Sequence, residues 1–400
     1  MSWPIVKLGE IFDIARGGSP RPIQNYITED PEGLNWIMIG DTKGDSKYIE
    51  RVAKKIKREG LGKTRQVQPG DFLLTNSMSF GRPYILKTSG CIHDGWLVLH
   101  PKSDNLYTDY FYYCLSSDAV YQKLSAKAAG AVVKNLNTAI VKELEVPLPP
   151  LPIQKQIAAL LEKADTLRSQ CKQMEQELNQ LAQSVFLEMF GDPVTNPKNF
   201  EAKLLEEIID PERPITYGIL KPGPDLDIGI PYVRVVDMQD GRVLTEQLRK
   251  TSEEIANSYK RSKLDKNDVL LSIRGHVGRI AITSAECVGA NITQDTARLA
   301  PIPQLVDHRY LGMCLASHPM QAYMQRYVKG AAVKGINLGD VKKIPIPLPK
   351  FSEQHAFGEI VSRYQMQKEG IKQKYEYSNQ LFASLMQTAF NGKLNLTKAA

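Results

Sequence analysis

The feature of this 400-residue chain that most constrains its fold is an internal duplication with a spacing of 200 residues. The segment GAVVKNLN at 130–137 returns as GAAVKGIN at 330–337, and PLP at 147–149 returns at 347–349. Identical residues recur at this spacing without a gap at Val133, Lys134, Asn137, Val141, Lys142, Pro147, Leu148, Pro149 and Gln154. A long helical pattern follows each copy, which predicts two similar globular segments, each followed by a helix.

We therefore predict an α+β fold with globular domains at 1–150 and 192–350 and long helices at 151–191 and 351–400. In the first helix, apolar or near-apolar residues alternate in steps of three and four, which is typical of a coiled-coil seam. This seam is predicted at Ile157, Leu160, Ala164, Leu167, Cys171, Met174, Leu178, Leu181 and Val185. The second helix has a seam interrupted by polar residues, predicted at Phe357, Ile360, Tyr364, Ile371, Leu381 and Leu385.

A single helix with such a stripe is marginal in water, so the two helices are expected to pair with each other within the chain. At about 1.5 Å per residue, the first helix spans roughly 50–55 Å. Antiparallel pairing would place the globular domains at opposite ends, related by an approximate two-fold axis. Parallel pairing would crowd them at one end, so we favour an antiparallel intramolecular coiled coil with pseudo-two-fold symmetry.

Composition excludes several classes of protein. The chain opens without a basic segment followed by an apolar one, and it contains no run of 18 apolar residues, so we expect neither secretion nor membrane insertion. Five cysteines, at 91, 114, 171, 287 and 314, lack CxxC spacing and indicate reduced, mostly buried thiols in a cytoplasmic protein. A net charge of +7 favours polyanion binding where basic residues gather on one face.

The two globular segments share predicted strands but differ in their loops. IPYVRVVD at 230–237 occupies the place of LNWIMIGD at 34–41, and the segment 266–282 matches 69–85, including a Gly-Arg pair. The loops differ most: RGGSPRP at 16–22 against ITYGILKPGPD at 215–225, and TNSMSFGR at 75–82 against SIRGHVGR at 272–279. We interpret the repeated parts as scaffold and the differing loops as recognition elements.

Motifs of catalysis are lacking. The sequence contains no GxGxxG after a strand, no Walker A lysine loop, no HExxH, no GxSxG and no Asn/Asp-Pro-Pro-aromatic motif of adenine methyltransferases. The histidines have no neighbours at metal-ligand spacing, and only His276 is retained as a candidate because it lies in a differing loop. Two similar heads with different loops, separated by a spacer, have the geometry to read two half-sites on duplex DNA.

At this point the chain resembles, over nearly all its length, the DNA-specificity subunits of type I restriction-modification enzymes. The resemblance is carried by WPIVKLGEI at 3–11, GDFLL at 70–74, NDVLL at 267–271, the two duplicated segments and the PLP motifs before Gln154 and Gln354. It implies that each globular segment is a target recognition domain and that the subunit reads a bipartite sequence in double-stranded DNA with a nonspecific gap.

The resemblance also implies partners and excludes cofactors. Such a subunit docks two methyltransferase (M) subunits and, through them, restriction (R) subunits. It is not itself catalytic, so no metal or cofactor is expected in this chain. S-adenosylmethionine, ATP and magnesium would belong to the partner subunits.

From the differing loops we predict which side chains contact DNA. Arginine can pair with guanine, and Asn or Gln with adenine, while basic side chains hold phosphates. The candidates in the first head are Arg16, Ser19, Arg21, Lys43, Asn76, Ser77, Ser79 and Arg82. Those in the second head are Tyr217, Lys221, Arg234, Ser272, Arg274, His276, Asn291 and Gln294. Lys134 and Lys334, in the duplicated segments, are expected to contact backbone phosphates or a partner protein.

Some alternatives stay open at the level of sequence. Arg274 is the stronger candidate for base reading because its counterpart in the first copy, taken as Ser79, differs. The Gly-Arg pairs at 81–82 and 278–279 occur in both copies and are equally consistent with a structural role. The whole chain could instead be a two-headed coiled-coil scaffold that does not read DNA, or a single-chain methyltransferase or nuclease with unfamiliar motifs.

Overall fold

The computed structural model describes residues 3–42, 46–76, 80–128, 136–330 and 334–391. The chain divides into two compact units, the first formed by residues 1–172 and 373–400 and the second by residues 173–372. Each unit therefore contains one globular head and one portion of each long helix.

The first head leads into the first long helix. Its elements are β1 (Ile5–Lys7), α1 (Leu8–Ile11), β2 (Phe12–Arg16), β3 (Ile27–Thr28), β4 (Leu34–Ile37), β5 (Tyr48–Ile49), β6 (Lys55–Ile56), β7 (Arg65–Val67), β8 (Phe72–Thr75), β9 (Pro83–Leu86), β10 (Gly90–Ile92), β11 (Trp96–Pro101), α2 (Thr108–Leu115), α3 (Asp118–Ala128), α4 (Thr138–Lys142), β12 (Glu145–Pro147) and the long helix α5 (Leu151–Phe190).

The second head leads into the second long helix. Its elements are β13 (Ala202–Leu204), β14 (Thr216–Tyr217), β15 (Ile230–Val233), β16 (Met238–Gln239), β17 (Gly241–Val243), β18 (Arg249–Thr251), α6 (Glu253–Ser258), β19 (Val269–Ser272), β20 (Ile280–Ile282), β21 (Asn291–Ile292), β22 (Thr296–Leu299), α7 (His308–Ala316), α8 (His318–Gln325), α9 (Leu338–Lys342), β23 (Pro345–Pro347) and the long helix α10 (Phe351–Phe390).

Both heads are built on the same antiparallel ladder. In the first head the main sheet has the order β2-β11-β8-β9-β5, and in the second head β14-β22-β19-β20-β17-β16. A second sheet accompanies each, with five strands in the first head and three in the second. It contains a parallel pair in which Cys91 aligns with Trp36 in the first head and Asn291 with Tyr232 in the second. The α+β fold and the duplication predicted from the sequence are thus present in the structure.

The central strands of the ladder are apolar on both faces because both faces are covered. Every residue of β8 (FLLT) and of β19 (VLLS) is buried. One face of the first sheet packs on α2, where Phe12 and Phe111 meet edge to face with ring centroids 5.0 Å apart. The other face packs on the second sheet, where Leu73 and Val98 are fully buried. A continuous apolar run is the pattern expected of such a doubly covered strand.

The two long helices run antiparallel where they meet. In the second unit, Phe186 near the end of α5 packs on Phe357 near the start of α10, with ring centroids 5.5 Å apart. Earlier in α5, Glu175 lies 3.7 Å from Lys368, which is later in α10. In the first unit, Ile157 of α5 shares a core with Ala389 of α10. The antiparallel direction expected from the sequence is therefore observed.

The buried positions of α5 keep the predicted heptad spacing. At every second predicted seam position, however, the residue that faces inward is the next one along the chain. Leu167, Met174 and Leu181 are 52%, 47% and 45% exposed, and Leu160 is half-buried. The residue that follows each of these turns inward instead, at Leu161, Arg168, Glu175 and Ala182. Ile157 is buried, as predicted, and Leu178 is half-buried.

Charged residues can occupy seam positions between the two long helices because each has an oppositely charged or aromatic partner. Arg168 lies 4.6 Å from the ring centroid of Phe382 and binds Asp165 at 2.6 Å. Lys368, with a side chain only 17% exposed, binds Glu175 and also Asp240 of the second head at 3.1 Å. An interpretation based on apolar content alone could not select these residues.

On α10 the predicted seam agrees more closely with the burial. Ile371 is buried, and Ile360, Tyr364 and Leu385 are half-buried. Leu381 is 47% exposed, and the next residue, Phe382, packs instead against the core that contains Phe12 and Phe111 of the first head.

A buried glutamine near the start of each long helix forms hydrogen bonds with the backbone of the preceding head. The amide oxygen of Gln154 accepts from the backbone N–H of Tyr107 at 2.9 Å, and its nitrogen donates to the carbonyl of Pro149 at 2.8 Å. Gln354 makes the same pair of bonds with Asp307 and Pro349, at 3.1 and 2.8 Å. The recurrence of this glutamine at the 200-residue spacing thus has a structural cause.

Two further findings bear on the composition. Cys91, Cys114, Cys287 and Cys314 are buried free thiols and Cys171 is half-buried, as the sequence predicted. Among the residues that the structure describes, no helix combines the length and the apolar content needed to cross a membrane.

Replacing Gln154 or Gln354 by alanine is expected to lower the free energy of unfolding by about 1–3 kcal/mol, because each change leaves a buried N–H and a buried carbonyl without a partner. Urea-induced unfolding followed by circular dichroism measures the effect. The exposed residues Gln156 and Gln367 provide matched controls on the same helices. Equal effects of buried and exposed substitutions would contradict the fastening role.

Candidate nucleic-acid interface

Three strand ends meet at one edge of the main sheet in each head. In the first head, the end of β2 and the end of β8 flank the beginning of β11, since Arg16 aligns with Leu97 and Thr75 with Trp96. In the second head, the end of β14 and the end of β19 flank the beginning of β22 in the same register. There Tyr217 aligns with Ala297, and Ser272 with Thr296. We call these places the strand-end edges.

A glycine at the same position permits this close approach in both heads. Gly17 donates its N–H to the carbonyl of Trp96 at 2.9 Å, and a Cβ atom there would collide with the backbone of His93. Gly218 is its counterpart, and a Cβ atom there would collide with the carbonyl of Ile292. Any larger residue would push the preceding side chain, Arg16 or Tyr217, away from its edge.

At the first strand-end edge, Asp94 joins several predicted residues. Its carboxylate accepts from Ser19 Oγ at 2.7 Å and lies 3.4 Å from Arg21 Nη2. Its backbone carbonyl accepts from Arg16 Nε at 2.8 Å. The Ser19 hydrogen bond and the charge of Arg16 hold the pKa of Asp94 below its usual range, so the carboxylate stays ionised at neutral pH.

Asn76 supports the first strand-end edge from the protein interior. It is 2% exposed, and its Nδ2 donates to the carbonyl of Asp94 at 2.8 Å. Asn76 thus supports the loop from within the protein, whereas Arg16 and Arg21 are exposed and can reach a ligand.

A cleft of about 650 Å³ opens beside Asp94. Pro20, Ile23, Trp36 and Met38 supply its apolar wall, and Ser19, Arg21, His93 and Asp94 supply its polar part. Burial lowers the pKa of His93, which favours the neutral imidazole there. The combination of an apolar wall with charged groups suits the edge of a heterocyclic base.

At the second strand-end edge, Arg274 and Gln294 come together. Arg274 Nη1 donates to Gln294 Oε1 at 3.3 Å, and the guanidinium is otherwise exposed. Tyr217 is 44% exposed on the adjoining strand. The carbonyl of Lys334 accepts from the N–H of Gly275 at 3.0 Å, so the exposed Lys334 adjoins the Arg274 loop. His276 is exposed in the same loop.

Other predicted residues of the second head have internal partners. Arg234 binds Asp237 through Nε and Nη2, at 2.9 and 2.7 Å, and is half-buried. Asn291 is fully buried and donates to the carbonyl of Tyr259 at 3.1 Å. Ser272 is fully buried, accepts from the N–H of Arg279 at 2.7 Å and donates to the carbonyl of His276. These three side chains stabilise the head rather than face a ligand.

Of the remaining predicted residues, Lys221 lies two positions after Ile219, whose carbonyl accepts from the N–H of Gln294 at 2.9 Å, and the others lie outside the described part of the chain. Lys221 is exposed on the segment that follows Ile219. Lys43, Ser77, Ser79 and Lys134 lie outside the described residues.

The Gly-Arg pair has different surroundings in the two heads. Arg279 Nη1 donates to the carbonyl of Val235 at 2.9 Å, which is a structural contact. Arg82 is exposed and lines a cavity of about 540 Å³ together with Ser116, Asp118 and Arg168. The structural alternative therefore holds for Arg279.

The strand register corrects one comparison and reveals one missed residue. Because Thr75 and Ser272 occupy the same register position, counting along the chain makes Ser77 the counterpart of Arg274, not Ser79. Asp94 was missed because it lies in the turn between β10 and β11, outside the loops that differ most between the two copies. Its 200-residue spacing from Gln294, already a candidate, was the signal that could have found it.

The described residues contain no group of three or more histidine, cysteine or acidic side chains that could hold a metal ion. The chemistry of the edges is that of hydrogen bonding and ion pairing. Exposed arginines, an amide, a tyrosine and a carboxylate are groups that can bind base edges and phosphates.

Comparison with known proteins agrees with this chemistry. The family described as the type I restriction modification DNA specificity domain matches residues 2–182 and 205–377, which is most of the chain. The chain is 29% identical to the specificity subunit of the type I restriction enzyme EcoBI of Escherichia coli, over 82% of this chain and 74% of that subunit. It is 24% identical to the EcoKI specificity subunit of Escherichia coli K12, over 98% and 89% respectively.

The fold is also found among solved structures. The crystal structure of a type I S subunit from M. genitalium has a TM-score of 0.58 at 17% identity, covering 98% of this chain and 96% of that one. A chain from a study of complex assembly in the type I restriction-modification system has the same TM-score at 19% identity, covering 98% of each chain. The chain therefore belongs to the type I restriction-modification DNA specificity family, as a specificity subunit involved in DNA target recognition.

Proposed function

We propose that this chain reads a bipartite DNA sequence, with each head reading one half-site through its strand-end edge and the bases between them left unread. The observation that carries the proposal is a shared framework with different side chains. Arg16 and Tyr217 occupy the same register position, as do Asp94 and Gln294. Two similar frameworks that present different hydrogen-bonding groups are suited to two different base sequences.

The exposed groups divide into two roles. Arg16, Arg21 and Arg274 have donor pairs that match the O6 and N7 acceptors of guanine, and Gln294 can bind adenine. Lys334 and Lys221 are flexible point charges that suit phosphates, which position the protein without sequence information. The scaffold alternative gives no reason for different exposed side chains, such as Arg16 and Tyr217, on matching strand ends.

The catalytic steps would belong to other subunits. We propose that this chain is not catalytic, holds no cofactor or metal, and docks two methyltransferase subunits and, through them, restriction subunits. S-adenosylmethionine, ATP and magnesium would be bound by those partners. The hydrogen-bonding character of the strand-end edges supports a role in recognition.

The proposal is tested by expressing the chain with a candidate methyltransferase subunit and mapping methylated adenines in the host DNA. We expect a two-part motif with a fixed unread gap, and its loss when this chain is omitted. Copurification of the two subunits is the control for complex formation. Methylation that does not depend on this chain, despite a confirmed complex, would support the scaffold alternative.

Replacing Arg274 by alanine is expected to relax discrimination at one position of one half-site, by about 1–3 kcal/mol, because one base loses its paired donors. Competition binding of the assembled complex to a set of single-base variants of the target measures this. The matched control is Arg261→Ala, an exposed arginine of the same head. A uniform loss of affinity on all sequences would assign Arg274 to phosphate binding instead.

Removing two heptads from each long helix is expected to shorten the unread gap. Equal deletions keep the antiparallel seam in register, and about 1.5 Å per residue gives a loss of roughly 21 Å. That length corresponds to on the order of six base pairs of duplex DNA. Mapping of methylated adenines gives the new gap, and an unchanged gap would contradict the spacer role.

A further inference from the structure

We propose that residues 94 and 294 are positioning residues for specificity, each fixing which donors the adjacent arginine presents to a base. The inference rests on the proposed function and deepens it by naming the residues that act through the arginines. In the first head this residue is an ionised carboxylate, and in the second it is a neutral amide. The difference would make the two heads read different bases with the same framework.

The two residues occupy the same place. Asp94 lies two residues before Trp96 at the start of β11, and Gln294 lies two residues before Thr296 at the start of β22. The preceding strands also match, since Ile92 pairs with Ile37 and Ile292 with Val233. Each residue contacts an exposed arginine whose backbone belongs to a different segment of its head.

The loop of Asp94 is also held by hydrogen bonds that do not involve its carboxylate. Backbone bonds already fix that loop, with Trp96 donating to the carbonyl of His93 at 3.1 Å and Asn76 donating to that of Gly95 at 2.9 Å. The Asp94 side chain is 37% exposed. A surface carboxylate beside a polyanion is unfavourable unless it is paired. Its pairing with Arg16 and Arg21 offsets that cost, so the carboxylate can remain at an edge proposed to face DNA.

The contacts fix what the arginines have left to offer. Arg16 uses Nε on the carbonyl of Asp94, with Nη2 4.0 Å from the carboxylate, so its other N–H groups remain available. Arg21 approaches the same carboxylate through Nη2 while its side chain is 80% exposed. A guanidinium that is already held by one hydrogen bond loses less side-chain conformational entropy when its remaining N–H groups bind a base.

Gln294 holds a single arginine and keeps donors of its own. Its Oε1 accepts from Arg274 Nη1 at 3.3 Å, so the amide N–H₂ group can donate to a base acceptor. Asp94 has only acceptor oxygens when ionised. The second edge can thus combine donors from both residues, whereas the first edge relies on its arginines.

The test compares Asp94→Ala and Asp94→Asn with the control Asp13→Ala in the complex with the methyltransferase subunit. Asp13 is exposed in the same head, and its loss removes the same charge. Target variants with single-base changes are compared by competition binding, and methylated motifs are mapped. Asp94→Ala should lower discrimination about tenfold or more at one or two positions of the first half-site only. Asp94→Asn, which keeps an acceptor as Gln294 does, should restore part of it.

The reciprocal test uses Gln294→Ala, with the exposed Gln304→Ala as its control. It should relax the second half-site and leave the first unchanged. An unchanged motif, or an equal loss at all positions of both half-sites, would overturn the positioning role. Failure of the proposed function would appear differently, because the unmodified chain would then direct no bipartite methylation at all.

Discussion

The antiparallel pairing of one central strand with the ends of two others is the constraint on which each head depends. In the first head, the beginning of β11 is held between the ends of β2 and β8, which brings Arg16, Asn76 and Asp94 together. Because β-ladder register is fixed by the buried face, the exposed residues at the end of the ladder can differ while the backbone stays the same. The same backbone can therefore carry Arg16 in one head and Tyr217 in the other.

Buried hydrogen bonds also determine the position of each long helix relative to its own head. The buried glutamines Gln154 and Gln354 fix where each helix begins relative to its own head, through identical bonds to the backbone. Further along, paired polar residues such as Arg168 and Lys368 take seam positions. Leu167, which the sequence pattern favoured for the seam, is exposed beside Arg168.

Much of this architecture was predictable because duplication and periodicity reflect buried surfaces. The domain plan, the helices and the ladder strands follow from apolar runs and from identical residues 200 positions apart. The site was less predictable, because burial decides which polar residues can face a ligand. Asn291 and Ser272 are polar residues of the kind that bind bases, but both are buried. Asp94 is brought to its arginines by the pairing of strands that are distant in sequence. Single-sequence patterns do not contain those long-range contacts.

The central claim is that each head carries its own recognition through its strand-end edge. The most direct measurement replaces residues 192–350 by a second copy of residues 1–150 and maps the adenines methylated by the complex with a methyltransferase subunit. The account predicts that both parts of the motif then contain the bases read by the first head. A motif that still contains the second head's bases would contradict it.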